Sequence, residues 1–554
     1  MILESDGSWK TQTENRIKML EAELTRVTSH LALPSIAGSS AQDVEEGQQT
    51  ETSISAYMTP QTEKNVPDNF EMVLDPTSGP AAIPGSVVSR IAIPSEGTIG
   101  EMEQDIIARG VITEQQAQTF LDVYQNRLDH FLYRIIGDRQ TLQEIRSSSS
   151  LLLAAICAVS ALHLVAPEYE KCYQEFVSLA AAHTFSRRRT VGDVRALCVA
   201  AFWLSGISWT CVGAAVQIAT EIGLHRSIFA ALEGDRLHYQ RTRLYYLVYV
   251  CDHHFSVVYG RPPMTREDDA IKASMTFLDC AHAVEDDARL VSQIERWKIG
   301  SEIHETFGVD VDRPLRHAQI GPLRRLGIKL DAVRADWEER FACNPYVGNY
   351  PKKGVGLHYH FAKLYLTSMA LRGIGKANFK PPNIALDIEE ITNMAVLSAT
   401  SILKVVIHDT EIQGHLNGLP TYFDVMIAFA AVFIMKISSK YSASVKVDIS
   451  ELRALVADLV TTLERVTSSM HPRHLLVSVA RGTRALLSEC YGGTPNAPYL
   501  DNTRNALPQP GFDDVLHGYS GDWNTGASEL FSMGDFDFLS TQIIADFQPQ
   551  TQLF

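Results

Sequence analysis

The sequence predicts an all-α protein, a large multi-helix body with a disordered linker before it and an acidic tail after it. Three observations carry this. Between residues 101 and 492, apolar side chains recur at three- and four-residue spacing almost throughout, the period of a helix with one buried face. No run of alternating apolar and polar residues is long enough to build a sheet. The charge is also partitioned. Of a net −16, residues 32–100 carry nine acids and two bases, and residues 501–554 carry eight acids and one base. Residues 101–500 are nearly neutral, with 43 acids and 42 bases.

In chain order, residues 1–31 contain the seam Ile17, Leu20, Leu24, Val27 and Leu31, an a/d spacing flanked by Arg16, Glu21, Glu23 and Arg26. It predicts a short coiled coil that pairs two chains. The same seam suits a short amphipathic surface helix, since two heptads alone are marginal. Residues 32–100 are rich in Ser, Thr, Pro, Gly and Glu with few large apolar residues. They are expected to stay disordered, because they cannot bury enough surface to offset the entropy of ordering.

Residues 101–492 form the helical body. Leu121, Tyr124, Leu128, Phe131, Leu132 and Ile135 predict helix through Ile135. Apolar periodicity predicts further helices within 151–165, 197–204, 212–222 and 244–258. Others follow near 286–306, 320–341, 356–374, 384–408, 420–440, 448–469 and 472–490. Pro167, Gly206, Gly223 and Gly260 punctuate them. The most apolar run, 421–438, has only eleven uncharged residues between Asp424 and Lys436. A bilayer needs ~20, so a buried core helix is expected and no membrane span. In residues 493–554, Phe512, Trp523, Phe531, Phe536, Phe538 and Phe547 alternate with Asp513, Asp514, Asp522, Glu529, Asp535, Asp537 and Asp546. Acids keep such aromatics solvated and free to dock, the pattern of acidic activation segments. The bland alternative is a solubilising tail.

Several kinds of chemistry are unsupported. The eight cysteines are never closer than thirteen positions, so no CxxC zinc spacing exists. The N-terminal residues show no signal-peptide pattern, and the cysteines are expected to be reduced in cytosol or nucleus. GxSxG, HExxH and the phosphate-loop pattern are absent. The acid runs Glu267–Asp269 and Glu285–Asp287 lack the spaced third Asp of a diphosphate-binding pair. They suit helix starts, where the macrodipole favours anions.

The stretch Tyr249–Met264, YVCDHHFSVVYGRPPM, gathers Cys251, Asp252, His253 and His254. On a helix, Leu244, Leu247, Val248, Cys251, Phe255 and Val258 share one stripe. Adjacent histidines point about 100° apart, whereas helical zinc pairs use i and i+4. Asp252 and Ser256 do share a face. Gly260 can close the helix in the left-handed conformation, and Pro262 and Pro263 prevent its continuation. Arg261 could hydrogen-bond the last carbonyls or pair with Asp252. The segment reads as a structural helix end.

Two boxes now carry a resemblance. Gly213, Ala215, Ala219, Gly223, Leu224, His225 and Arg226 match a G-x-A-x-R-x-A-x-x-L-G-L-H-R box of fungal zinc-cluster transcription factors. Asp252, Ser256, Gly260, Arg261 and Pro262 resemble their second box, D-R-x-x-S-x-x-x-G-R-P. The order is right, and the resemblance covers roughly 110–490. The usual arginines are replaced by Gln217 and His253. The resemblance implies an all-helical regulatory domain and a sequence-specific transcription regulator, not an enzyme. Zinc is implied only for a six-cysteine module that this sequence does not contain, so no cofactor is expected here. The chain begins almost at the coil, so an incomplete or shorter form, or a regulator acting through a partner, is expected.

The resulting expectation is a nuclear activator of RNA polymerase II genes, such as a metabolic gene cluster. It would be a homodimer or heterodimer through the coil and would bind a coactivator through Phe531, Phe536, Phe538 and Phe547. It would bind DNA only with a zinc module or partner, since net −16 without a basic stripe opposes phosphate contact. The triplet Arg187–Arg189 is an import signal or an exposed helix end. The competing expectations are an all-helical metal-dependent lyase using Asp252, His253 or His254, and a non-transcriptional scaffold.

Overall fold

The computed structural model describes residues 104–491, apart from 138–139, 185, 187–188, 258–259, 309, 311–312, 373–385 and 441–447, together with Lys18, Met19 and Ala22. The chain divides into two compact units between Ser95 and Glu96. In the first, Lys18, Met19 and Ala22 are helical; the coil seam, the linker and the acidic tail lie outside the described residues. The remaining described residues belong to the second unit.

Its described residues form eighteen α-helices and no strand. They are α1 (Glu114–Val123), α2 (Leu142–Ser148), α3 (Ser150–His163), α4 (Tyr169–Thr184), α5 (Val191–Trp203) and α6 (Ser208–Glu221). Next come α7 (Ile228–Leu232), α8 (Arg236–Ser256), α9 (Asp269–Lys272), α10 (Ser274–Phe277), α11 (Glu285–Phe307) and α12 (His317–Arg340). The last six are α13 (Tyr350–Ser368), α14 (Leu386–His408), α15 (Thr410–His415), α16 (Thr421–Lys440), α17 (Ile449–Thr467) and α18 (Leu475–Tyr491).

Local chemistry sets many helix starts. Thr113 with Gln116 and Thr141 with Glu144 form reciprocal capping boxes at α1 and α2. Asp235, Asp409 and Asp448 accept from first-turn amides of α8, α15 and α17. The acid runs act similarly. Asp268 caps α9 through the Ile271 amide at 3.1 Å. At the start of α11, Asp287 accepts from the Val284 amide at 2.9 Å, Asp286 pairs with Arg289, and Glu285 accepts from Asn344.

Several expected boundaries move; the helices expected within 197–204 and 244–258 begin at Val191 and Arg236, and two further shifts have a local cause. The helix predicted from 356 begins at Tyr350, because Pro351 sits in the first turn, where its missing N–H is no loss. The helix predicted through Ile135 ends at Val123. It gives way to a π turn (Tyr124–Leu128) and a 3₁₀ turn (Asp129–Leu132), then to left-handed Tyr133 and Arg134 at φ 55° and 53°. Such φ values cost of order 1–3 kcal/mol each outside glycine. Arg243 of α8 offsets this by donating to the carbonyls of both residues.

Three helices are sheathed by the others. Every residue of α3, residues 242–256 of α8 and residues 421–438 of α16 are buried. For α3 and α16 this follows from composition, since a helix apolar all round must be covered. Among the described residues, two helical segments, Asp387–His408 and Thr421–Ser439, are long and apolar enough to cross a membrane by length and composition. The apolar window of the first is half buried within the body and that of the second entirely buried. A smaller cluster built on Ile303, Leu323, Leu326, Leu330 and Leu366 joins α11, α12 and α13.

Burial also holds many histidines neutral. It lowers His163 and His253 to about 4 and His474 to about 3, from an ordinary 6.5. A depressed folded pKa favours folding above the unfolded pKa, and that contribution is lost as pH falls. Each proton taken up on unfolding weakens the fold by roughly 1.4 kcal/mol per pH unit. The thermal midpoint of the purified chain should therefore drop steeply between about pH 6.5 and 5; calorimetry showing a flat midpoint across that window would contradict this.

Candidate functional site

The two boxes sit on α6 and α8, which pack against each other. In the first box, Ala215 and Ala219 are buried one turn apart, and small side chains there let α6 approach its neighbours closely. Gly213 has open space around its Cβ direction, and nothing in the structure explains a glycine there. Gly223 does need to be glycine: it ends α6 at φ 69°. Leu224 follows, fully buried, then His225, whose ring lies 6.1 Å from Tyr245. Arg226 and Gln217 are exposed. Arg241 of α8 fastens this turn, donating to the Ile222 carbonyl and to Ser227 Oγ.

The second box is built on Asp252, which is 0% exposed. Its Oδ1 accepts from Ser256 Oγ at 2.8 Å, the i, i+4 partner. Its Oδ2 accepts from the Met264 amide at 2.8 Å, the Thr265 amide at 2.7 Å and Thr265 Oγ1 at 2.6 Å. A carboxylate so surrounded binds the returning chain to the helix it has just left. Gly260 stands at φ 65°; its amide donates to Val257 O and that of Arg261 to Ser256 O, the paired bonds of a left-handed helix stop. The Arg261 guanidinium lies over the Trp209 ring of α6, 4.6 Å from its centre, which ties the second box to the helix that bears the first. Pro262 is exposed at the turn.

The histidines beside Asp252 part company. His253 meets Tyr249 O at 2.9 Å and Ser301 Oγ at 3.0 Å. His254 stacks on Tyr422 at 4.0 Å, and its Nε2 lies 3.4 Å from Arg296. Burial, then the charge of Arg296, pushes His254 well below its ordinary range. Arg296 is itself buried, bonded to Gln293 and set over Trp297 at 4.1 Å. Among the described residues, no three His, Cys, Asp or Glu side chains gather as a metal site. A lyase centre on Asp252, His253 and His254 thus has no shared focus. Nor do the cysteines fit a binuclear zinc cluster. Six of the seven described are buried and spread over five helices and one loop.

Sequence spacing points to Asp252, Ser256 and Gly260 but not to Thr265, Trp209 or Arg241, which lie thirteen to fifty-two residues from the partners they meet and carry no local signal.

Replacing Asp252 with Ala leaves one buried and one part-buried backbone amide and two hydroxyls without their acceptor. At ~1–3 kcal/mol for a buried donor left unpaired, Asp252→Ala should cost about 3 kcal/mol or more, and Asp252→Asn less. Urea denaturation midpoints of the purified chain measure this; an unshifted Asp252→Ala midpoint would show that the clamp is dispensable.

Residues 110–485 match the family described as the middle domain of the transcriptional activator of proteases prtT. The chain is 36% identical over 466 residues to the transcriptional activator of proteases prtT of Emericella nidulans, covering 79% of this chain and 70% of the relative. It is 24% identical over 384 residues to protein priB of Lentinula edodes, covering 66% of this chain and 63% of that protein. The match spans nearly all of the helical body and both boxes, and the chain belongs to the prtT middle-domain family of fungal transcription regulators.

Proposed function

We propose that the chain is a nuclear transcriptional activator of RNA polymerase II genes, with the helical body as its regulatory domain. The observation that carries this is the 36% identity over 466 residues to a protein named as a transcriptional activator. That span is longer than the matched middle domain. By the same likeness, protease genes are the first targets to test, with a metabolic gene cluster as the wider class. Activation is assigned to the tail and pairing to the coil, homodimeric or heterodimeric. DNA contact is assigned to a zinc module or a partner, given the charge of −16.

The tail reading is tested by fusing residues 493–554 to a foreign DNA-binding domain. Changing Phe531, Phe536 and Phe538 to Ala should lower reporter output roughly tenfold, since aromatic anchors dominate such docking; unchanged output would remove the activation claim. For the coil, sedimentation of the full chain should show weakened self-association on Leu20→Asp with Leu24→Asp, because charges at a and d positions oppose burial. An unchanged mass would refute the coil as the pairing element.

A further inference from the structure

Away from the two boxes, a solvent-open cleft of about 620 Å³ lies at the opposite end of α8 from Asp252. That is within the ~300–1,000 Å³ range of small-molecule sites. The Arg134–Gly137 loop, α2, α5, the first turns of α8 and the start of α11 wall it. Four guanidinium groups reach it, from Arg134, Arg195, Arg236 and Arg243, against the carboxylates of Glu144 and Asp286.

The acids are already engaged. Glu144 accepts from the Thr141 amide and hydroxyl at 2.7 and 2.9 Å, and Asp286 pairs with Arg289 at 2.7 Å. Arg243 is held by Asp287 and by the carbonyls of Tyr133 and Arg134, so its charge is fixed in the wall. Arg195 and Arg236 differ. Neither has a hydrogen bond or ion pair among the described residues, and Arg195 Nε is shielded from water with no acceptor. Leaving a buried charged donor unpaired costs at least ~1–3 kcal/mol. Burial and then Arg243 lower the pKa of Arg195, while Asp129 opposes them. Burial raises Asp129 to about 7, which weakens that opposition near neutral pH.

We infer that this cleft binds a phosphorylated small molecule, whose phosphate oxygens are held by the free guanidinium groups of Arg195 and Arg236, beside Arg134 and Arg243, which are ion-paired with Asp286 and Asp287. Planar guanidinium forks match phosphate oxygens in pairs. Several such forks facing one space suit a group of two or more negative charges. Ile135, Ile136 and the Tyr239 ring offer an apolar side to the organic part. The ligand would bridge α5 and α8, and α8 also bears the second box.

The test is calorimetric titration of the purified full chain with inorganic pyrophosphate, and with citrate as the polycarboxylate control, at about 0.15 M salt. Saturable binding of pyrophosphate is expected, weakened roughly tenfold or more by Arg195→Gln and by Arg236→Gln. Arg481→Gln, at an exposed arginine of α18 outside the cleft, should leave it unchanged. Arg236 is exposed, so its variant remains informative if Arg195→Gln fails to fold. Absence of saturable binding, equal binding by the Arg236 variant, or tighter binding of citrate would overturn the assignment. No promoter or reporter enters the measurement, so the site stands or falls separately from the transcriptional reading.

Discussion

A helix that is covered on every side yet carries charges imposes the main constraint on this fold. From Thr242 to Ser256, α8 is wholly buried, and it brings Arg243, Asp252, His253, His254 and Ser256 inside with it. Buried polar groups must find partners, so the surroundings of α8 are arranged to supply them. Arg243 draws Asp287 of α11 and the left-handed carbonyls at 133 and 134. Asp252 draws the chain back at Met264 and Thr265. His253 takes Ser301, and His254 takes Tyr422 and Arg296. One helix thereby fixes the relative placement of α6, α11, α16 and two loops. Apolar burial supplies the bulk of the stability, but these bonds choose among the many ways apolar helices could pack.

The family boxes make sense in those terms. Their residues shape a left-handed stop, a carboxylate clamp and a close approach of two helices. The two positions where arginine is usual fall in different settings. Gln217 is exposed, so charge there is optional for the fold, whereas His253 is buried and neutral. A buried arginine is nonetheless present nearby at Arg296, from α11.

Much of the fold was legible because helical periodicity is a local signal. The helices expected near 286–306, 320–341, 384–408, 420–440 and 448–469 differ from α11, α12, α14, α16 and α17 by three residues or fewer at each end. Gly223 and Gly260 were legible for a similar reason: a left-handed stop suits glycine before any tertiary contact forms. The single apolar stripe expected on α8 was too narrow, since burial of its polar face depends on Asp287, Ser301 and Tyr422, all distant in sequence. The same distance hid the break after Val123, which answers to Arg243, and the arginine cleft, whose charges come from four separate segments. Within the site, the Asp252–Ser256 pair lay one helical turn apart and could be read; Thr265 and Trp209 could not.

The helical body is proposed to serve a protein that acts at promoters. The most direct measurement is cross-linking and immunoprecipitation of the tagged full chain from growing cells, followed by sequencing of the recovered DNA. Discrete enrichment upstream of genes whose transcripts fall when the chain is deleted is the predicted result, whether contact is direct or through a partner. Recovery no greater than from an untagged strain, under conditions in which deletion has a phenotype, would contradict it.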